Sequence, residues 1–504
     1  MMNGKIQYQR IIFGLKIKQL RQEVGLSFAE MAAATGMSVS YLNEIEKGKK
    51  FPKGDKVSVL AKVLKTKEST LLSLEMDPQL APVAELLQSN FLNELPLDMF
   101  GIELGKVAEI IASAPLRVGA FISALLDISR SYALREENFY FAALRAYLEL
   151  NFNYFQHIED AVDALVERYN LGQKRPFFPD KLKDVLIKEY EYHIDAEGLD
   201  AYPNLQGLRS VYLPSQRTLL LRKQLTPIQA SFQYGKEIGF HFLELKERAN
   251  TSSLLRGKNF QEVLNHAFAT YFSVALHIPL EPFVASIQQF FASERWDGEG
   301  FIRVMNQFDA TPEMFYHRLT NVLPRFFNMP KLFFLRVLHD PANDRFEVDR
   351  ELHLAKPHRP HSNALLEHYC RRWVSLSLLH DLDAMQREGK YVSTIVRAQR
   401  SKYYDTEDEY LVITLARSGM IGTAADLRVS AQRHNVSVSI GLLIDDEVRR
   451  SIQWLDDPAI QTRVVNMTCE RCSLKDCTER AAAPSVVEKR ERLKAMEQEL
   501  GLLE

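Results

Sequence analysis

Residues 10–66 read RIIFGLKIKQLRQEVGLSFAEMAAATGMSVSYLNEIEKGKKFPKGDKVSVLAKVLKT, and this stretch decides the fold of the amino-terminal part. A first amphipathic helix places Ile12, Leu15, Ile17 and Leu20 on one apolar side and ends near Gly25. Ser27 followed by Glu30 forms a capping box, which starts a short second helix ending at the tight turn of Gly36. Ser38 caps a third helix, whose Val39, Leu42 and Ile45 are expected to face inward. Its other face offers Ser40, Tyr41 and Asn43. The pattern predicts a five-helix module over residues 10–75 with a helix-turn-helix inside it. Short polar side chains at the start of a recognition helix reach base edges in the major groove. Ser38, Ser40, Tyr41 and Asn43 are therefore the candidate base or backbone contacts, and Lys47, Lys49 and Lys50 suit phosphates.

The elements LRQEVGLS, the small-residue second helix and SYLNEIEKGKKFP resemble the Xre/Cro-type helix-turn-helix family of repressors. One departure is Phe28, where that family often carries a glutamine that touches the DNA backbone. The resemblance implies a double-stranded operator bound by a homodimer on half-sites about 34–36 Å apart. Charge agrees with a DNA-contacting head. Residues 1–75 hold 13 Lys+Arg and 7 Asp+Glu, a net +6, so the chain's −2 leaves −8 for the remainder.

At 504 residues the chain has room for three or four domains. It shows no charged leader and no apolar run of eighteen residues, so neither export nor membrane spanning is expected. Four cysteines exclude a disulfide scaffold and fit a reducing cytoplasm. The expected architecture is multidomain. An all-α helix-turn-helix (1–75) and a helical connector that dimerises the protein (76–174) come first. An α+β peptidase-like domain (175–325), a β-rich α+β carboxy-terminal domain (326–484) and an amphipathic helix (485–504) follow. The aromatic concentration from Tyr132 to Phe155 is read as core or dimer interface rather than a cofactor pocket. SVYLPSQRTLLL reads as a strand pair turning at Pro214. KLFFLRVL, RFEVDRELHL, YVSTIVRA, EYLVITLAR and VSVSIGLLI read as strands of an antiparallel sheet.

The helices FQYGKEIGFHFLEL and LNHAFATYFSVALHIP resemble the paired helices of the ImmA/IrrE metallopeptidase-like group, over roughly residues 180–325. Active members carry His-Glu-x-x-His on the first helix and a Glu ligand on the second. Two imidazoles four residues apart share a helical face and hold zinc, while the Glu activates the bound water. Here Lys236 and Phe240 replace the two histidines, Glu237 alone remains, and His266 stands at the later ligand position. No catalytic zinc and no peptidase activity are expected. Lys236, Glu237 and His266 are left as candidates for an ion pair, for scaffold packing or for holding a small ligand.

Cys469-x2-Cys472-x4-Cys477 concentrates three of the four cysteines, and Cys370 lies about a hundred residues upstream. If the fold joins them, four thiolates suit zinc or an iron–sulfur cluster, and the ligand count leaves both open beside a dithiol switch. His353, His358, His361 and His368 are alternative donors. The tract continues through Arg480, Ala481 and Pro484, and Cys370 precedes Trp373. With the amino-terminal head and the peptidase-like middle, this arrangement resembles the short-chain fatty acyl regulator family. The resemblance implies a transcription regulator and an acyl-CoA effector. Two other functions stand beside it: a stress- or phage-related metallopeptidase-type regulator, and an antitoxin-like autoregulator.

Overall fold

The computed structural model describes residues 2–73, 136–172, 179–205, 208–250, 259–354, 367–390, 394–406, 408–419 and 434–503. Most of the segment read as a dimerising connector, Tyr132 included, lies outside them. The chain divides into two compact units, with the break in sequence at Ala143.

In the first unit, helices α1 (Met2–Val24), α2 (Phe28–Thr35), α3 (Val39–Glu46), α4 (Gly54–Val63) and α5 (Glu68–Leu72) form the expected module. The capping box is present: Ser27 Oγ accepts from the Glu30 N–H at 3.2 Å, and Glu30 accepts from the Ser27 N–H at 2.8 Å. Gly36 sits at φ +69° and closes α2, a conformation that costs glycine nothing. Phe13, Ile17, Met31, Leu42, Ile45, Val57 and Leu60 make the core. Val39 does not join it: it is 46% exposed, because the first residue of α3 sits a turn ahead of the residues that face α1.

The second unit begins on α6 (Glu136–Leu150) and continues with α7 (Gln156–Arg168) and α8 (Pro179–Tyr190). Strands β1 (His193–Asp195), β2 (Ser210–Leu213) and β3 (Thr218–Leu221) form a small sheet in the order β1-β3-β2. The β2–β3 turn runs through Pro214, as the sequence predicts. Helices α9 (Pro227–Phe242), α10 (Phe260–His277), α11 (Leu280–Phe291), α12 (Gly298–Gln307) and α13 (Pro312–Phe326) follow. Gly235 and Gly239, one turn apart on α9, allow its close approach to α10. A Cβ at Gly235 would lie 2.7 Å from Ser273 Oγ.

A six-stranded sheet comes next, from β4 (Leu332–Asp340), β5 (Arg345–His353), β6 (Thr394–Tyr403), β7 (Glu409–Gly419), β8 (His434–Leu443) and β9 (Gln461–Val465). Its order is β5-β4-β8-β7-β6-β9, antiparallel except for the β6–β9 pair. Alternation along β7 shows why it needs cover on both faces. Tyr410, Val412 and Ala416 pack with Leu376 and Leu379 of α14 (Val374–Arg387). Leu411, Ile413 and Leu415 join the core made by α7–α13. That core runs from Leu148 to Ile460, so the boundaries expected at 174/175 and 325/326 both fall inside one packed body. Phe155, packed 4.9 Å from Phe268, belongs to it. A buried ion pair fastens α7 to α13, with Arg318 donating to both Glu159 oxygens at 2.6 and 2.9 Å.

After α15 (Asp446–Ser451) and β9, the chain ends in α16 (Ser485–Leu503). Of its expected apolar stripe only Val487 is buried, and Leu493, Met496 and Leu500 are exposed. Among the described residues no single helix is long and apolar enough to cross a membrane.

Candidate functional site

The start of α3 presents Ser38, Ser40, Tyr41 and Asn43 at the surface, with Ser38 also accepting from the Tyr41 N–H at 3.2 Å. Exposed Val39 adds an apolar contact of the kind that meets a thymine methyl group. Lys47, Lys49 and Lys50 are exposed; Lys50 pairs with Glu44 at 2.8 Å, which raises its pKa. Lys56, beyond the sequence-derived set, lies 4.4 Å over the Tyr41 ring and faces the same concave surface. Phe28 has a role in packing: its ring lies under the Arg21 guanidinium at 4.2 Å, and Arg21 binds Glu46 at 2.6 Å.

In the second unit, α9 and α10 bring Lys236, Glu237 and His266 together around a residue that spacing does not flag. Arg248, in the loop after α9, is stacked 4.1 Å from Phe240 and 4.2 Å from Tyr212. Its guanidinium donates to Glu237 at 2.9 Å, and the Tyr192 hydroxyl donates to the same carboxylate at 3.0 Å. Glu237 is therefore paired with Arg248 rather than with Lys236. His266 accepts the Ala249 N–H on Nε2 at 3.1 Å and meets the Phe240 ring edge-on at 4.9 Å. Burial, with Lys236 and Arg248 nearby, pushes the His266 pKa down to about 2, so the ring is neutral.

Lys236 is buried, and its ammonium makes no hydrogen bond or ion pair among the described residues. Burial lowers its pKa to about 7; Glu237 opposes the shift, while Arg248 and Arg350 add to it. Arg350 belongs to a group of four arginines with Arg209, Arg336 and Arg417, set around Glu313. Arg417 donates to Glu313 at 2.7 Å, and Arg336 pairs with Asp349. Burial alone would raise the Glu313 carboxyl, but Arg417, Arg336 and Arg209 outweigh it and hold the carboxyl well below the usual range. Burial lowers Arg209 to about 10. The side chains of Arg209 and Arg350 make no hydrogen bond or ion pair among the described residues. Arg350 is an exposed residue of β5, and desolvation lowers its pKa, with Arg336 adding to the shift. The result is a cluster in which Arg209, Arg336, Arg350, Arg417 and Lys236 outnumber the carboxylates Glu313, Asp349 and Glu237.

The fold also joins Cys370 to the cysteine tract. Tyr369 and Thr468 form an antiparallel bridge, the Cys370 N–H donates to Met467 O at 3.2 Å, and the Cys469 N–H donates to His368 O at 2.9 Å. Cys370, Cys469 and Cys472 are buried and Cys477 is partly buried. Burial pushes the Cys370 thiol up to about 11, with Cys469 and Cys472 adding to the shift. The Ala481 N–H donates to Cys469 Sγ at 3.3 Å. Arg480 is held by the carbonyls of Cys469 at 2.7 Å and Cys472 at 3.1 Å, beside the thiols. Of the alternative donors, His368 is bound to Glu470 at 2.8 Å, and His358 and His361 lie outside the described residues.

A family model described as a helix-turn-helix domain matches residues 12–74, and one described as an IrrE N-terminal-like domain matches residues 199–320. The protein named HTH-type transcriptional regulator RamB from Mycobacterium tuberculosis is 22% identical over 500 residues, covering 93% of this chain and 94% of its own. The chain is a DNA-binding transcriptional regulator. A propionyl-CoA carboxylase regulator from Cereibacter sphaeroides is 23% identical over 347 residues, covering 65% of this regulator and 69% of its own chain. A solved Mycobacterium tuberculosis transcriptional regulator shares 16% identity at a TM-score of 0.45, over 67% of this regulator and 92% of that chain.

Proposed function

We propose that this regulator is switched by an anionic small molecule, a short-chain acyl-CoA, bound in the arginine-lined cleft where a peptidase would hold zinc. The observation that carries this reading is Lys236. A buried ammonium with no hydrogen bond or ion pair among the described residues, 5.9 Å over the Phe240 ring and under the influence of Arg350, is costly and is compensated when a phosphate or carboxylate enters. Guanidiniums without a hydrogen bond or ion pair among the described residues, such as Arg209 and Arg350, suit the pyrophosphate of a CoA ester because their planar forks bind such oxygens in pairs. The Cereibacter sphaeroides relative, named a propionyl-CoA carboxylase regulator, supports the acyl-CoA class.

The centre itself does not hydrolyse peptides in this reading, since an ammonium at Lys236 and a phenyl ring at Phe240 give zinc no ligands. The protein acts in the cytoplasm and binds its operator as a homodimer, paired through the connector of residues 76–174. The cysteine set fits a cation. Three of the thiols are buried, Cys469 and Cys472 act on the Cys370 thiol, an N–H is directed at Cys469 Sγ and Arg480 is held alongside, a setting that suits thiolates if they close on an ion. Cys370, Cys469, Cys472 and Cys477 would hold zinc or an iron–sulfur cluster. Zinc would tie the tract in place, and a cluster would add redox sensitivity.

Operator binding measured by fluorescence anisotropy with propionyl-CoA, free CoA and propionate tests the effector. A coupling of about 1–3 kcal/mol changes operator affinity about 5–150-fold. The expected result is a shift with propionyl-CoA that Arg350→Ala and Lys236→Met remove. Equal direct binding of propionyl-CoA by wild type and both variants, measured by calorimetry, would place its site elsewhere.

A further inference from the structure

On the face of the six-stranded sheet that α14 covers, the face where Cys370 also packs, three metal-binding side chains converge. His339 ends β4, Asp344 lies in the turn between β4 and β5, and His380 projects from α14. Asp344 Oδ1 lies 3.6 Å from His339 Nε2 and 3.7 Å from His380 Nε2, and the three donor atoms all lie within 4.8 Å of one another. Neither fact follows from sequence spacing, since 36 residues separate Asp344 from His380.

His339 is the second, independent observation. Its ring is 1% exposed, yet neither Nδ1 nor Nε2 has a hydrogen-bond partner among the described residues. Buried ring nitrogens are satisfied almost everywhere in native proteins, so Nε2, which has only the long 3.6 Å contact to Asp344, calls for a nearer partner. The ring is also held in place, stacked on Phe346 at 4.3 Å and 6°. Arg371 binds the far oxygen of Asp344, Oδ2, at 3.2 Å. That contact leaves Oδ1 turned to the two imidazoles, and it is the kind of outer contact that orients a metal-bound carboxylate.

We propose that His339, Asp344 and His380 bind a first-row divalent metal ion, zinc foremost. Two imidazoles with one carboxylate select such ions over calcium or magnesium, which prefer all-oxygen sets. Bound to zinc at about 2.0–2.1 Å, donors stand about 3.3 Å apart, so the two Asp344 edges close by a few tenths of an ångström and the His339–His380 edge, within 4.8 Å, closes by a rotation of the exposed His380. Asp344 and His380 are 58% and 42% exposed at their side chains, which leaves the remaining coordination positions to water or a further ligand. The ion would clamp the β4–β5 turn to α14, the helix that starts four residues after Cys370.

Cobalt(II) titration of the full-length protein separates this site from the cysteines. Nitrogen and oxygen ligands give only weak visible bands, whereas thiolates add an intense ultraviolet charge-transfer band. The expected result is one equivalent with the nitrogen–oxygen signature in wild type. Asp344→Asn and His380→Asn, both at solvent-reached positions, should lose it or weaken it at least about tenfold, with circular dichroism and the thiolate band unchanged. Absence of the nitrogen–oxygen signature from wild type, or equal affinity in both variants, would overturn the assignment.

Discussion

Arg248 donates to the Glu237 carboxylate at 2.9 Å, so the one residue kept from the zinc-peptidase pattern is neutralised by a cation of the protein itself. Stacked between Phe240 and Tyr212, the guanidinium fills space beside the replaced histidines. The first peptidase-like helix and the loop that follows it are thus tied together by a buried ion pair. Arg248→Ala would leave Glu237 buried and unpaired, at a cost of about 3–5 kcal/mol. Urea unfolding should show a clear loss of midpoint. Replacing both partners, Glu237→Leu with Arg248→Met, should recover most of it; an unchanged midpoint in the single variant would show the pair to be idle.

Lys236 should behave in the opposite sense. Its pKa is depressed from 10.5 to about 7 by burial, so at neutral pH the folded state binds that proton less readily than the unfolded chain does. The charged side chain therefore destabilises the empty protein, and Lys236→Met should raise the melting temperature while removing the effector response. A variant that melts lower than wild type would mean that Lys236 is satisfied in the empty state.

The legibility of these features in the sequence differs for physical reasons. The helix-turn-helix is read directly because its signals are local: Ser27 and Glu30 cap within three residues, and Gly36 supplies a positive φ. Strands β4 to β8 are legible from apolar alternation, whereas β9, QTRVV, is short, lies at the edge and pairs in parallel with β6, so it has no such mark. Lys236, Glu237 and His266 emerge from comparison with a zinc-binding pattern, but Arg248 does not. It sits in a loop, and only folding places it on Phe240. Cys370 meets Cys469 through the Tyr369–Thr468 bridge, a pairing across about a hundred residues that spacing can permit but not require.

Histidines whose pKa burial lowers, His266 and His317 among them, make the body acid-sensitive. Burial lowers His266 to about 2 and His317 to about 4, from 6.5. Below pH 6.5 the unfolded chain takes up protons that the folded state refuses, so stability is complete above 6.5 and falls on acidification. Each group contributes a slope approaching about 1.4 kcal/mol per pH unit until its folded pKa is reached. Chelator-treated protein unfolded in urea at pH 7, 5.5 and 4.5 should show the decline, and His317→Asn should flatten it. A flat profile in wild type would contradict the burial of both rings.

On the head, Asn43 and Lys49 should fail differently. If Asn43 reads a base, Asn43→Ala costs about 1–3 kcal/mol on the preferred operator and relaxes preference at one position. Lys49→Ala, a phosphate contact, should weaken every sequence alike and lower the slope of log K against log salt by about 0.9. Binding across an operator library at several salt concentrations distinguishes them. Identical behaviour of the two variants would mean that α3 does not lie along the groove with its amino-terminal end at the bases.

The cysteine tract gives the most direct chemical prediction. Cys370 is held as a thiol by burial, with a pKa near 11, and a bound cation would displace that proton. Removing one ligand should therefore cost the ion and not merely a contact. Cys472→Ser should lower the metal content of purified full-length protein, read by mass spectrometry of the elements. Arg480→Ala should weaken retention by a smaller amount, because Arg480 holds the carbonyls of Cys469 and Cys472 rather than a sulfur. Full metal content in Cys472→Ser would remove that residue from the ligand set. Metal-free wild type that reacts with thiol reagents at an ordinary rate would instead leave the tract as free, buried cysteines.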